Sequence, residues 1–162
     1  MLGFYTELGP YNFKYNKGDV KNRGIFTENK SAWNNNAHVL FIDQPLGTGF
    51  SFANSVFDHR INEHQVSIDF FNFLINFYNK YPEFKHRELY LAGESFAGHY
   101  IPAIANFLHA TKIKIVRPDG IMIGNGWVDP FYQYEAYPTY AWEKGLVTSG
   151  NAIVASFMYE LC

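Results

Sequence analysis

Cysteine is almost absent from this chain, which carries one residue of the type, Cys162, at its last position. In a reducing compartment Cys162 is an ordinary thiol. In the secretory pathway it could form a disulfide with a partner outside these 162 residues, and one cysteine leaves both alternatives open. The His, Cys and acidic residues show no metal-ligand spacing, and no glycine-rich loop has the pattern of a phosphate site. We therefore expect neither a metal nor another cofactor.

Charge is also scarce, at 17% of residues with a formal net charge of −2. This balance gives no electrostatic case for a nucleic-acid partner or an anionic membrane. No apolar run approaches the roughly 18 residues that a membrane span needs. The start, Met1–Glu7, has no basic region and contains an acidic residue too early for a secretory signal. We therefore expect no signal peptide and no membrane span within this chain.

Aromatic residues, by contrast, are abundant, with 16 Phe, 12 Tyr and 3 Trp making 19% of the sequence. Together with a hydrophobic fraction of 48%, this composition is typical of a globular protein. So much ring surface predicts a large core or a pocket lined with rings. A core completed by segments outside this chain is the alternative.

Strand and helix patterns alternate along the chain. The apolar run 37–43 before Gln44 and Pro45 predicts a buried strand, and residues 88–92 and 120–123 predict two more. The first 35 residues resemble an antiparallel edge hairpin. Strands that alternate with helices predict parallel pairing and an α/β sheet.

Two helices have clear sequence signals. Asn62, with Gln65 three residues on, resembles a capping box and predicts a helix that runs to about Tyr81. A second helix is predicted over residues 96–110, with a kink at Pro102. The chain after residue 130 is aromatic and is predicted to be helical in pieces.

Gly93–Gly98 (GESFAG) lies between a predicted strand and a predicted helix, which is the context of a nucleophile elbow. An elbow holds its serine on a strained turn, and small residues such as Gly93 and Ala97 let strand and helix pass closely. The amide of Phe96 then lies at a helix N-terminus, where it can stabilise an oxyanion. The alternative is a plain turn with Ser95 as a helix cap.

Four stretches resemble the serine carboxypeptidase family. They are Gly93–Pro102 (GESFAGHYIP), Val39–Ser51 (VLFIDQPLGTGFS), Glu7–Pro10 (ELGP) and Ile123–Pro130 (IGNGWVDP). They occur in the family's order and cover residues 2 to about 140. The resemblance implies one α/β-hydrolase-like domain over residues 1–162, with a mostly parallel central sheet and flanking helices. We expect this domain to be incomplete, because the family's catalytic Asp and His lie near its C-terminus.

The resemblance also implies roles for single residues. Ser95 is the expected nucleophile, and the amide of Phe96 the expected oxyanion donor, although the family more often has Tyr at that position. Glu7 and Glu94 match the paired glutamates that bind the substrate's terminal carboxylate. Two close carboxylates cannot both ionise cheaply, so a shared proton could be donated to a third. The alternatives are that Glu7 is a solvated surface residue and that Glu94 only caps the dipole of the following helix.

The other acids and histidines are expected to be structural. Asp43 precedes Ser95, whereas the order in this fold is Ser, then acid, then His. Asp119 lies in a turn and Asp129 precedes a proline, while the two histidines after the serine, His99 and His109, lie on the following helix. The family's second oxyanion amide belongs to a stretch before the position of Met1.

The resemblance implies a serine-type carboxypeptidase that acts on peptide or protein C-termini and that is inactive as this isolated chain. A family acyltransferase and a non-catalytic binding or chaperoning relative stay open as alternatives. The family implies a lysosomal, vacuolar or secreted location, and the oligomeric state is open. Asn29-Lys30-Ser31 matches the acceptor pattern for N-glycosylation, which is common by chance.

Overall fold

A computed structural model describes residues 3–15, 17 and 24–160. The chain divides into two compact units, Met1–Arg60 and Ile61–Cys162. Each is described by itself. A single domain can contain two such units, so the predicted extent of one domain over residues 1–162 stays a prediction.

The first unit contains the hairpin. After a helical turn at Gly3–Glu7, strand β1 (Tyr11–Tyr15) pairs antiparallel with β2 (Gly24–Glu28). Phe13 stands opposite Phe26 in the register, and their ring centroids are 5.3 Å apart. Cross-strand aromatic pairs of this kind stabilise a hairpin. The predicted antiparallel hairpin is therefore confirmed.

The strand predicted at residues 37–43 is wrong for the part of the chain that the structure describes. Residues 38–44 form no β-ladder there, and Leu40 is 49% exposed. A strand is defined by hydrogen bonds to a neighbour, which an apolar run cannot supply by itself. The segment instead leads into a loop closed by Asp43, whose carboxylate accepts the Phe50 N–H at 2.9 Å and whose carbonyl accepts the Ser51 hydroxyl at 2.7 Å.

The second unit begins with helix α1 (Glu63–Lys80). The Asn62 side chain accepts the Gln65 N–H at 3.0 Å, and the Gln65 side chain accepts the Ile61 N–H at 3.1 Å. The return bond thus goes to the residue before the cap rather than to the cap itself. The predicted start is confirmed, and the helix ends one residue before Tyr81, as expected ahead of a proline.

A strand–helix–strand segment follows. Strand β3 (Tyr90–Glu94) leads into α2 (Ala97–Ala110), which continues past Pro102, and then into β4 (Gly120–Gly124). The two strands pair in parallel, with Glu94 opposite Gly124. This confirms the predicted parallel pairing. Helix α2 packs against α1 and β3, and the residues buried most completely in this core are Ile104, Leu108, Val116 and Ser67.

Two further helices complete the second unit. Helix α3 (Pro130–Glu143) packs against α4 (Ser149–Glu160), which confirms the helical character predicted after residue 130. Large apolar side chains on both helices remain exposed, among them Phe131, Ile153, Val154, Phe157 and Met158. Among the described residues, each of the two sheets has only two strands. Apolar surface beside open strand edges favours association.

We therefore predict that the 162-residue chain, expressed by itself, aggregates or binds a hydrophobic dye strongly. The dye reports exposed apolar surface, and light scattering reports association. Replacement of Ile153 and Phe157 by glutamate should lower both signals, whereas Lys144→Glu serves as a charge control elsewhere on the surface. A monodisperse wild-type monomer with a sharp unfolding transition and no dye binding would contradict this prediction.

Candidate active site

Ser95 lies at the junction of β3 and α2 with φ at 57°. This is the left-handed region, which is uncommon for residues other than glycine and costs of order 1–3 kcal/mol. The position and backbone angle predicted for a nucleophile elbow are thus confirmed. The surrounding structure must hold the residue there.

Backbone hydrogen bonds fix the serine turn from both sides. The Ser95 N–H donates to the carbonyl of Gly124 at 3.0 Å. The Ser95 carbonyl accepts the N–H of Trp127 at 2.8 Å and that of Gly98 at 2.9 Å. The loop after β4 and the first turn of α2 therefore share one anchor, the peptide groups of Ser95.

Glycines allow these segments to approach. A Cβ on Gly93 would lie 2.4 Å from the Cβ of Ala97 and 2.9 Å from Cγ1 of Ile101. The expected close passage of strand and helix is confirmed. A Cβ on Gly98 would lie 2.6 Å from the backbone nitrogen of Trp127. The lack of a side chain at Gly98 therefore lets the loop after β4 approach α2 closely.

Gln133 braces that loop, and sequence reasoning missed it. Its side-chain oxygen accepts the N–H groups of Val128 and Asp129 at 2.9 and 3.0 Å, and its Nε2 donates to the carbonyl of Gly126 at 2.9 Å. One amide side chain thus holds the residues on either side of Trp127. No periodic pattern marks such a residue, although its place in the first turn of a helix after a glycine loop is a usable signal.

A cleft of about 270 Å³ opens beside the serine. Its walls contain a row of rings in which Phe96 lies 5.2 Å from Trp127, Trp127 lies 5.9 Å from Tyr134, and Tyr134 lies 5.2 Å from Tyr137, all between centroids. The remaining lining residues are Ser95, Asn125 and Gln133. Rings therefore line an open cleft here, which agrees with one of the alternatives that the composition predicted.

The histidines near the elbow are not arranged as a base. His99 packs against the rings of Phe96 and Trp127, with centroids 5.1 Å apart in each pair, and its buried Nε2 has no hydrogen-bond partner among the described residues. His109 is exposed in the last turn of α2. Among the described residues, no hydrogen bond joins the Ser95 hydroxyl to a histidine. In this geometry His99 packs against two of the rings that line the cleft, Phe96 and Trp127.

The candidate acids have structural partners. Asp119 accepts the N–H of Leu89 at 2.8 Å beside the start of β3, and Asp129 caps α3 by accepting the Tyr132 N–H. The hydrogen bond from Phe50 lowers the pKa of Asp43 below its usual value. These contacts agree with the expected structural roles.

The two glutamates that are predicted to form a carboxylate pair, Glu7 and Glu94, lie in different units. Glu94 is the exposed last residue of β3, and Glu7 is the exposed last residue of the turn Gly3–Glu7. Because the two glutamates lie in different compact units, their approach stays a prediction.

Phe96 precedes α2 directly, so its amide lies at the helix N-terminus, and its oxyanion role also stays a prediction. Within the described ranges, no cluster of three His, Cys or acidic residues could hold a metal ion.

The tight passage at Gly93 gives a stability prediction. Gly93→Ala should destabilise the protein by about 1–3 kcal/mol, because the added methyl overlaps Ala97 and Ile101. Gly150→Ala is the control, since nothing lies within 4 Å of its added Cβ and alanine is the better helix former. Chemical denaturation should show a lower midpoint for the first variant and an equal or higher one for the second. Equal midpoints for both variants would show that strand and helix are not in tight contact.

Comparison with known proteins places these features in a family. The model of the family described as serine carboxypeptidase matches residues 1–156. The pheromone-processing carboxypeptidase kex1 of Aspergillus fumigatus is 39% identical over 161 residues, and the pheromone-processing carboxypeptidase KEX1 of Puccinia graminis f. sp. tritici is 44% identical over 150. These matches cover 94% and 92% of this chain but 24% and 22% of the relatives, so the chain spans about a quarter of their length.

A solved structure supports the same assignment. The crystal structure of Kex1Δp, a prohormone-processing carboxypeptidase from Saccharomyces cerevisiae, matches with a TM-score of 0.73 and 34% identity. The match covers 93% of this chain and 32% of that one. The strand–elbow–helix arrangement around Ser95 is therefore part of an α/β-hydrolase fold, and this chain belongs to the serine carboxypeptidase family.

Proposed function

We propose that this chain is the nucleophile-bearing part of a serine-type carboxypeptidase, which removes residues from the C-termini of peptides and proteins. The observation that carries the proposal is the backbone of Ser95. Its strained turn at the start of α2 is held by hydrogen bonds from both sides, and such a turn presents a hydroxyl at the end of a strand.

The proposed step is nucleophilic. The Ser95 oxygen attacks the carbonyl carbon of the last peptide bond, its proton passes to a base, and the C–N bond breaks as the protonated amine leaves. Water then hydrolyses the acyl ester on Ser95. The N–H of Phe96 would donate to the oxyanion during both attacks. In this proposal the chain supplies two of the groups that the reaction needs, the Ser95 nucleophile and the amide of Phe96.

The ring-lined cleft is the proposed binding site for the side chain on the acyl side of the scissile bond. It begins at Ser95 and Phe96, so a substrate carbonyl at the serine places its own side chain nearby. Aromatic rings favour apolar and aromatic groups, because they offer a large surface and no charge. We propose a preference for apolar residues at that position.

Glu7 and Glu94 are proposed to bind the terminal carboxylate through a shared proton. A carboxylate next to Ser95 repels a substrate carboxylate unless a proton lies between them. Glu94 directly precedes the nucleophile, so it is the better placed of the two in sequence. The mildly acidic lumen of a lysosome or vacuole suits this chemistry, and we propose such a location or secretion.

The structure contains no helix among the described residues that is long and apolar enough to cross a membrane. The location therefore remains a proposal that rests on the family and on the proposed acid-dependent site. Immunolocalisation of the full-length protein would test it.

Ser95 gives the first functional prediction. In the full-length protein, Ser95→Ala should abolish both carboxypeptidase turnover and labelling by a fluorophosphonate probe. Ser149→Ala, at the start of another helix, should change neither. The isolated 162-residue chain should show no turnover and no labelling of Ser95 above other serines, because each missing oxyanion donor costs about 10² to 10³ and the base is also lacking.

Three outcomes would contradict this assignment. Rapid labelling of the isolated chain that disappears in Ser95→Ala would mean that a histidine within it, such as His99, reaches the serine. A full-length protein that is labelled at Ser95 but transfers acyl groups to alcohols rather than to water would be a family acyltransferase. A protein with neither activity would be a binding relative.

The carboxylate pair gives the second functional prediction. Glu7→Gln and Glu94→Gln should each raise KM for peptides with a free C-terminus by about tenfold to a hundredfold, since a charge-assisted hydrogen bond contributes roughly 1.5–3 kcal/mol. C-terminally amidated peptides should be affected much less. Glu83→Gln, at an exposed glutamate outside the predicted site, is the matched control. If the two variants raise KM equally for free and amidated peptides, Glu7 and Glu94 do not bind the terminal carboxylate.

A further inference from the structure

The triplet Asn29-Lys30-Ser31 has the pattern of an N-glycosylation acceptor, but the structure buries its asparagine. Asn29 is only 8% exposed. Acceptor asparagines lie on surface loops, because the attached sugar is bulky and hydrated. The burial of Asn29 therefore points to another role.

Every hydrogen-bonding group of the Asn29 side chain is used. Its Nδ2 donates to the carbonyls of Glu7 at 3.1 Å and Gly9 at 2.9 Å, and its Oδ1 accepts the N–H of Ser31 at 3.0 Å. The Asn29 backbone N–H also donates to the carbonyl of Pro10 at 2.9 Å. A side-chain amide has two N–H donors, and here both hold the segment from Glu7 to Gly9.

The same segment is tightly enclosed. A Cβ on Gly9 would lie 1.9 Å from the carbonyl oxygen of Phe4, and the N–H of Trp33 donates to the carbonyl of Leu8 at 3.0 Å. The residues after β2 thus hold the residues before β1 by hydrogen bonds to successive carbonyls. The segment that carries Glu7 has its backbone defined by Asn29 and its neighbours.

A sugar on Asn29 is incompatible with these contacts. Glycosylation replaces one Nδ2 hydrogen by a bond to carbon, so one of the bonds to Glu7 and Gly9 is lost. The first sugar must also occupy space that the surrounding segment already fills. A buried carbonyl left without its donor destabilises the folded protein, and the displaced packing adds to that cost.

We propose that Asn29 is a positioning residue and not a glycan acceptor: it fixes the Glu7–Gly9 backbone and thereby directs the Glu7 carboxylate. The exclusion of the glycan follows from burial and hydrogen bonding alone. The link to substrate binding rests on the proposed function, in which Glu7 helps to bind the terminal carboxylate.

Three variants separate the role of Asn29 in the fold from the glycosylation pattern. Ser31→Ala destroys the pattern but keeps the hydrogen bonds of Asn29, because only the backbone N–H of Ser31 takes part. Asn29→Asp also destroys the pattern, and it replaces the two donors by an oxygen that faces two carbonyls. Asn29→Ser is a milder variant that keeps a single donor.

The experiment uses the full-length protein secreted from a eukaryotic host. Mass spectrometry of the peptide around residue 29 should find no glycan on the folded wild-type protein. Hydrogen exchange at Leu8 and Trp33 should be unchanged in Ser31→Ala and faster in both Asn29 variants. KM for free C-terminal peptides should rise about tenfold in Asn29→Ser and more in Asn29→Asp with kcat nearly kept, by the loss of one or two hydrogen bonds that direct a charged group.

The outcomes distinguish this proposal from the proposed function. A glycan on the folded protein, or equal behaviour of Ser31→Ala and the Asn29 variants, would overturn it. An Asn29→Ser effect on KM that simply adds to that of Glu7→Gln would show that the asparagine acts apart from Glu7. If the wild-type protein lacks peptidase activity, the proposed function fails. Glycan occupancy and hydrogen exchange still test whether Asn29 fixes the Glu7–Gly9 backbone.

Discussion

The left-handed backbone of Ser95 is the constraint on which the second unit depends. A φ of 57° costs free energy at a non-glycine residue, and the hydrogen bonds that join Ser95 to Gly124, Trp127 and Gly98 offset that cost. These partners lie on β4, on the following loop and on α2. The parallel alignment of the strands and the position of the helix therefore have to be correct before the serine can adopt its angle.

That constraint extends outwards to the cleft. Because the Trp127 N–H must reach the Ser95 carbonyl, the loop has to pass against Gly98, where a Cβ would overlap it. Gln133 then binds the peptide groups on both sides of Trp127. The indole is thereby fixed beside Phe96 and forms one wall of the ring-lined cleft. Backbone geometry at Ser95 thus determines the position of the surface that is proposed to bind the substrate.

Sequence was informative where the cause of structure is local. Two features depend on neighbours in the chain and were predicted, the Asn62 cap and the small residues around Ser95. The turn at Ser95 was also predicted from its local pattern, although partners on β4 and the following loop hold it. The apolar run 37–43 failed as a strand because its pairing depends on a partner that the run does not encode. Gln133 and Asn29 were not recognised, since a side-chain amide that binds distant backbone leaves no periodic signal. The Glu7–Glu94 approach was inferred from family resemblance alone and stays a prediction.

Gln133 and Asn29 are suited to fixing the backbone for the same chemical reason. An amide side chain offers donors and an acceptor without charge, so it can bind carbonyls and N–H groups of the same loop at once. A glutamate in place of Gln133 would keep an acceptor for Val128 and Asp129, lose the donor to Gly126 and bring negative charge into the cleft that contains Ser95 and the proposed oxyanion site. At Asn29, an aspartate would face the carbonyls of Glu7 and Gly9 with another acceptor. Neutral amides therefore suit sites where the backbone must be fixed beside groups whose charge is proposed to matter for binding and catalysis.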